Sequence, residues 1–336
     1  MRPVPVPLIF GSFLVAVNVI PPTSSYTYIR GDVPIETVAP CPGLYCGRTQ
    51  INATHNSACS RCPRGWRVGN NTHSLCQRCE DTPHLYDAGF LSFHLVLVVV
   101  FHCVAIDHRR RAFNKEVIAL HACALLEVAV AALCTLLVNE PVGSLSVTTC
   151  GVRQLSDWYS FLHNPNPNYE ETLRCTQEIV YPLYTMVFVF YALCLILMLL
   201  ARPCLTSRFY QRRGKNAIFA ALYFLPILAA THAVTGGLIY MAYPYIVFVL
   251  SVLSSASHFA FKLDQSPRAL LSGSVKNARD FVILIGHWLL HAFGILAITQ
   301  TVNAMSLGLL CLVPLPALFY VATSKFTDPV NFSNDF

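Results

Sequence analysis

The chain has 336 residues, of which 54% are hydrophobic and only 12% charged, with a mean hydropathy of +0.51 and a formal net charge of +6. Soluble domains carry about 25% charged residues, so this composition excludes an ordinary water-soluble fold and points to an all-α polytopic membrane protein. The basic residues sit in short runs beside apolar segments, a pattern that reads as membrane topology, so the lipid bilayer is the expected partner and nucleic acid is not.

Residues 1–40 form a leader and linker. Arg2 precedes an apolar run from Leu8 to Ile20, as in a signal peptide, but Pro3, Pro5 and Pro7 interrupt it and no A-x-A cleavage site follows. Cleavage and retention of this stretch are both open. The block at 41–80 holds Cys41, Cys46, Cys59, Cys62, Cys76 and Cys79 in the spacing C-x4-C-x12-C-x2-C-x13-C-x2-C. Two CxxC pairs match a zinc site, because each can present two thiolates to one tetrahedral ion. Three disulfides are the alternative, with 15 possible connectivities, and the compartment decides between the two readings. The sequons at Asn52 and Asn70 favour the glycosylated, oxidising side, and therefore a small luminal disulfide module.

From Gly89 to Ile106 the chain is almost continuously apolar, and a helix of that length rises about 27 Å, near the thickness of bilayer hydrocarbon. Arg109, Arg110, Arg111 and Lys115 close it and are expected to stay cytosolic. Further spans are read at about 117–137, 179–201, 218–234, 238–259, 281–299 and 307–322, inside a seven-helix bundle at 89–323. Gly236-Gly237 is read as the tight turn between the fourth and fifth helices. The expected fold is thus seven transmembrane helices, with the N-terminus luminal and the C-terminus in a cytosolic tail at 324–336. On that topology the inside segments hold 14 basic residues, including the run Arg202, Arg208, Arg212, Arg213 and Lys215, whereas the outer face of the bundle carries only Arg153 and Arg174. Asn331 begins a third sequon but is expected to be cytosolic and bare. Cys150 and Cys175 fall in one long outside loop as a candidate fourth disulfide.

His94, His102, His121, Glu127, His232, His258, His287 and His291 lie in or near the apolar spans, and an ionisable residue in a bilayer is a functional hypothesis by default. His287 and His291 are four residues apart and share a helix face. With Glu127 or His121 they could hold a zinc that activates water for intramembrane hydrolysis. Against this, no HExxH is present, and histidines serve equally as interhelical hydrogen bonders. A seven-span receptor or a transporter is a further alternative, although no G-protein-coupled signature or internal repeat stands out. Neither catalytic, cofactor-binding nor metal residues are assigned, and no cofactor is expected.

A series of motifs resembles the Jun-kinase-associated membrane protein family: GLYCG at Gly43–Gly47, CPRG at Cys62–Gly65, LYD at Leu85–Asp87, PVG ending at Gly143, LSDWY at Leu155–Tyr159, YPLYT at Tyr181–Thr185, AALYF at Ala220–Phe224, HWLLHAFG at His287–Gly294 and PALFY at Pro316–Tyr320. The likeness covers nearly everything from Cys41 to Thr327, with the leader and the loop between helices five and six as departures. It implies a multi-pass protein of the endoplasmic-reticulum membrane that is not an enzyme. Such a protein recruits ubiquitin ligases, the proteasome regulatory particle and the segregase ATPase for degradation of misfolded proteins, and binds Jun kinase to prolong its stress-induced activity. The surfaces open to cytosolic partners are expected at 107–116, 202–216, 262–280 and 325–336.

Overall fold

The computed structural model describes residues 39–52, 55–69, 73–107, 115–163, 175, 178–208, 211–262, 264–300 and 308–327. The cysteine-rich segment folds as three two-stranded antiparallel ribbons: β1 (Cys46–Gly47) with β4 (Ser60–Arg61), β2 (Gln50–Asn52) with β3 (His55–Asn56), and β5 (Trp66–Val68) with β6 (Cys76–Arg78). Gly65, at φ +77°, takes the left-handed position of the tight turn closed by Trp66 N–H donating to the Pro63 carbonyl, a place where a side chain would be strained. Ribbons this small bury little apolar surface and depend on covalent staples.

The staples are Cys41–Cys59, Cys46–Cys175, Cys62–Cys76 and Cys79–Cys150. The six-cysteine block therefore does not close on itself, and Cys150 does not pair with Cys175. Each of these two instead ties the loop between the second and third helices to the module. The zinc alternative falls with this pairing, because all six cysteines of the block are disulfide-bonded.

Helices α1 (Leu85–Asp107), α2 (Lys115–Val138), α3 (Leu183–Arg208), α4 (Gln211–Ala260), α5 (Pro267–Lys276), α6 (Ala278–Thr299) and α7 (Leu315–Thr327) follow. Their apolar composition makes them helical in lipid, where backbone groups must be satisfied within the segment. Among the described residues, five stretches are long and apolar enough to cross a membrane: Leu85–Asp107, Lys115–Val138, Leu183–Ser207, Gly214–Ala260 and Ala278–Thr299. The expectation of seven is corrected on two counts.

First, the fourth and fifth expected helices are one. Gly236-Gly237 is no turn but a notch in a helix of 50 residues, about 75 Å long. Trp158, from a 3-10 turn at Leu155–Leu162, fills the notch, and a Cβ on Gly237 would lie 2.6 Å from its own Cβ. Small residues in membrane helices serve such close approach as readily as they break a chain. Second, the expected seventh span is interrupted. A 3-10 turn at Leu309–Leu312 gives way to α7, whose 13 residues rise about 20 Å, short of the hydrocarbon thickness. Pro314 and Pro316 lack the N–H a continuous helix needs, so they mark a helix start instead.

The long α4 runs antiparallel to α1. Phe224 meets His102, His232 meets His94, and the Tyr86 hydroxyl donates to the Tyr240 carbonyl at 2.7 Å. The remaining turns of α4 continue past the start of α1 and pack on α6. Lys262 consequently lies at the far end of α4 from Lys215, and the expected grouping of 262–280 with the other basic loops on one side of the membrane loses its basis. Two of the apolar cores are the largest landmarks of the helices. One joins Phe90, Val98, Val128, Ala131, Met198 and Tyr243 from α1 to α4, and the other joins Phe259, Leu270, Leu284, Ala317 and Val321 from the end of α4 through α7.

Candidate functional site

The inward faces of three helices are read at four-residue spacing. On α1 the buried row is Phe90, His94, Val98, His102 and Ile106; on α2 it is Leu120, Ala124, Glu127/Val128, Ala131 and Thr135; on α3 it is Phe190, Cys194, Met198, Arg202 and Thr206. Each row is apolar except for two polar residues, and His102, Glu127 and Arg202 come together where the rows converge.

Arg202 is fully buried. Its Nε donates to Glu127 Oε1 at 3.1 Å, and its Nη2 lies 2.8 Å from Oε2, a close ion pair off the hydrogen-bond direction. Nη2 also lies 3.0 Å from His102 Nδ1. A guanidinium has only donors, so His102 accepts through Nδ1 and carries its proton on Nε2. Cys123 donates its thiol to Glu127 Oε1 at 3.1 Å. Arg202 Nη1 and His102 Nε2 are buried without a hydrogen-bond partner. One positive and one negative charge thus cancel at the junction of α1, α2 and α3, away from water. Chemically this is a clamp: the carboxylate is engaged by the guanidinium and the neighbouring thiol is a proton donor to it.

Sequence reasoning placed Arg202 among the basic residues closing the third helix and singled out Glu127 without its partner. The available signal was the four-residue row Cys194, Met198, Arg202, Thr206, which turns Arg202 inward, combined with a lone acid on a neighbouring helix. Arg202 is accordingly withdrawn from the expected exposed surface at 202–216.

His287 and His291 do share a face of α6, but that face meets serines. His291 Nδ1 lies 2.7 Å from Ser251 Oγ and His287 Nδ1 lies 3.0 Å from Ser254 Oγ, both on α4. Glu127 belongs to the other core, and no cluster of three metal-ligating side chains occurs among the described residues. The zinc-hydrolase reading is dropped on that geometry. His94 and His232, ring against ring, make two further polar contacts inside the bundle, His94 Nδ1 with the Tyr191 hydroxyl at 2.6 Å and His232 Nε2 with the Tyr184 carbonyl at 3.1 Å.

Outside the spans, Asp157 joins the module to the bundle. Its buried carboxylate accepts from the backbone N–H groups of Arg153 and Gln154 and from Arg67 at 3.0 Å, while Arg67 also donates to the Cys150 and Gly151 carbonyls. The Tyr45 hydroxyl donates to the same carboxylate at 3.1 Å, and burial raises its pKa above the ordinary phenol value.

Of the surface candidates, Lys115 and Lys215 are exposed at the starts of α2 and α4, at the end of the bundle away from the disulfides. Arg212 and Arg213 belong to the first turn of α4, with side chains outside the described set, and Arg109, Arg110 and Arg111 lie outside the described residues. Asn52 is exposed in β2, whereas Asn70 and Asn331 lie outside the described residues.

A family model described as JNK1/MAPK8-associated membrane protein matches residues 41–329. The chain is similar to the JNK1/MAPK8-associated membrane proteins of Mus musculus and Homo sapiens, each 44% identical over 298 residues covering 86% of this chain and 94% of the relative. A homolog from Caenorhabditis elegans is 28% identical over 312 residues, covering 87% of this chain and 95% of its own length. No solved structure matches this chain.

Proposed function

Because this chain belongs to the JNK1/MAPK8-associated membrane protein family, we propose that it acts as a membrane adaptor that binds Jun kinase and prolongs its stress-induced activity. In the same proposal it resides in the endoplasmic-reticulum membrane. There it recruits ubiquitin ligases, the proteasome regulatory particle and the segregase ATPase for degradation of misfolded proteins, without catalysing a reaction itself. The observation that carries this reading is the extent of the likeness: 44% identity maintained over 94% of relatives that are named for their association with the kinase.

The geometry is compatible with such a role. Disulfides persist in an oxidising compartment, so the four-disulfide module would face the lumen. A cytosolic kinase would then meet the opposite end of α1 to α4, where Lys115 and Lys215 are exposed. The surface there is short, which suits recognition of a composite epitope.

The test is affinity capture of the full chain in a mild detergent, compared with a form in which 107–116 and 208–216 are scrambled. Recovery of Jun kinase and proteasome components with the first and their loss with the second is expected. Failure to recover either partner with the intact chain overturns the adaptor reading.

A further inference from the structure

A polar cavity of about 230 Å³ lies where α4 ends and α6 begins, lined by His258, Phe261, Lys262, Arg279, Asp280 and Ile283. The two helices run side by side up to it, with Phe248 against Gly294, Ser251 against His291 and Ser254 against His287. The apolar stretches of both helices stop at this point, at Ala260 and Ala278. Charged residues lie at the ends of both apolar stretches here, the pattern of a span that reaches lipid headgroups. Around the cavity the surface is apolar: Phe261 is 69% exposed, Val275 67% and Leu271 50%. The short α5 carries the last two between Arg268 and Lys276, the arrangement of an interfacial helix that rests its apolar face in lipid.

The polar groups of the cavity are mostly donors. Lys262 Nζ donates to Ser274 Oγ at 2.8 Å and pairs with Asp280 at 3.4 Å. The half-buried Arg279 guanidinium has no hydrogen-bond or ion-pair partner among the described residues, and His258 Nε2 is buried without a hydrogen bond. An oxyanion with several acceptor oxygens would satisfy both. Arg279 can grip two oxygens in parallel and Lys262 a third. Basic pockets between membrane helices bind lipid phosphates on this principle.

We infer that this cavity is a binding site for the phosphate group of an anionic glycerophospholipid, its acyl chains lying along Phe261, Leu271 and Val275. Asp280 opposes the phosphate from within the site, by repelling it and by holding Lys262. It limits affinity, and its neutralisation should strengthen binding.

The experiment measures retention of tail-labelled phosphatidic acid, with phosphatidylcholine as the control, by the immobilised full chain in detergent. Phosphatidic acid is expected to bind at least about tenfold more tightly. Arg279→Gln should lower that affinity about tenfold, the loss of one charge-assisted hydrogen bond, and Asp280→Asn should raise it severalfold. Opposite signs for neighbouring substitutions distinguish a phosphate site from a merely structural contact, and the rise in D280N is informative even if R279Q does not fold. Equal retention of the two lipids, or no rise in D280N, overturns the inference. Displacement of the lipid by inorganic phosphate at equal concentration also overturns it, and assigns the cavity to free phosphate.

Discussion

Replacing Glu127 by glutamine would remove the countercharge of a guanidinium that has no access to water. The side chains of Arg202 and Glu127 are 0% and 4% exposed. In E127Q the amide keeps an acceptor for Arg202 Nε, and His102 Nδ1 is still within reach, so the hydrogen-bond loss is small and the perturbation is almost purely electrostatic. Breaking a buried pair from one side costs about 3–5 kcal/mol. At roughly 2–4 °C per kcal/mol, the loss in melting temperature should be about 10 °C. Removing both charges together, in Glu127→Leu with Arg202→Met, leaves neither ion uncompensated, and the double variant should recover most of the loss. Size-exclusion profiles of the detergent-solubilised variants after heating supply the melting temperatures. An E127Q protein that melts within about 2 °C of the parent, or a double variant as unstable as the sum of its singles, would refute the clamp.

Peptide mapping without reduction should find the pairs Cys41–Cys59, Cys46–Cys175, Cys62–Cys76 and Cys79–Cys150; recovery of a Cys150–Cys175 peptide would contradict the staple between module and bundle. Cys46→Ser opens a link across a sequence separation of 129, whereas Cys62→Ser opens one of 14. Loop-closure entropy assigns these about 5 and about 3 kcal/mol, so the first variant should melt lower. Gly237→Leu forces a side chain into the position held by Trp158 and should cost about 1–3 kcal/mol, read as a lower melting temperature that Gly286→Leu, at a glycine with open space around it, does not show. His291→Phe should cost no more than about 2 kcal/mol, the range of a membrane hydrogen bond such as that to Ser251; a loss near 5 kcal/mol would mean the histidine does more than bridge two helices.

Legibility in the sequence follows the range over which each property acts. A run such as Gly89–Ile106 declares itself without any partner, and so do the dense cysteines of the module. The family was legible for a similar reason: short motifs in fixed order survive in the linear chain. Arg202 shows the limit. Next to Arg208, Arg212 and Arg213 it reads as one more charge at a helix end, and nothing within that stretch names Glu127, 75 residues away, as its partner. Asp157 is another such case, since its importance comes from Arg67 and Tyr45 in a different module.

By itself, then, the sequence determined that this is a helical multi-pass membrane protein with a disulfide-bearing segment. Bilayer hydrocarbon leaves an apolar backbone no other way to satisfy its polar groups, and that demand is met within each segment. Only the tertiary structure decided that the described residues hold five long apolar helices instead of seven, that Gly236-Gly237 continues a helix, and which cysteines join. Those outcomes depend on what lies opposite: Trp158 against the glycine notch, Cys175 against Cys46, and Arg202 against Glu127. A glycine pair permits both a turn and a close contact, and the side chain that arrives from elsewhere in the chain selects between them.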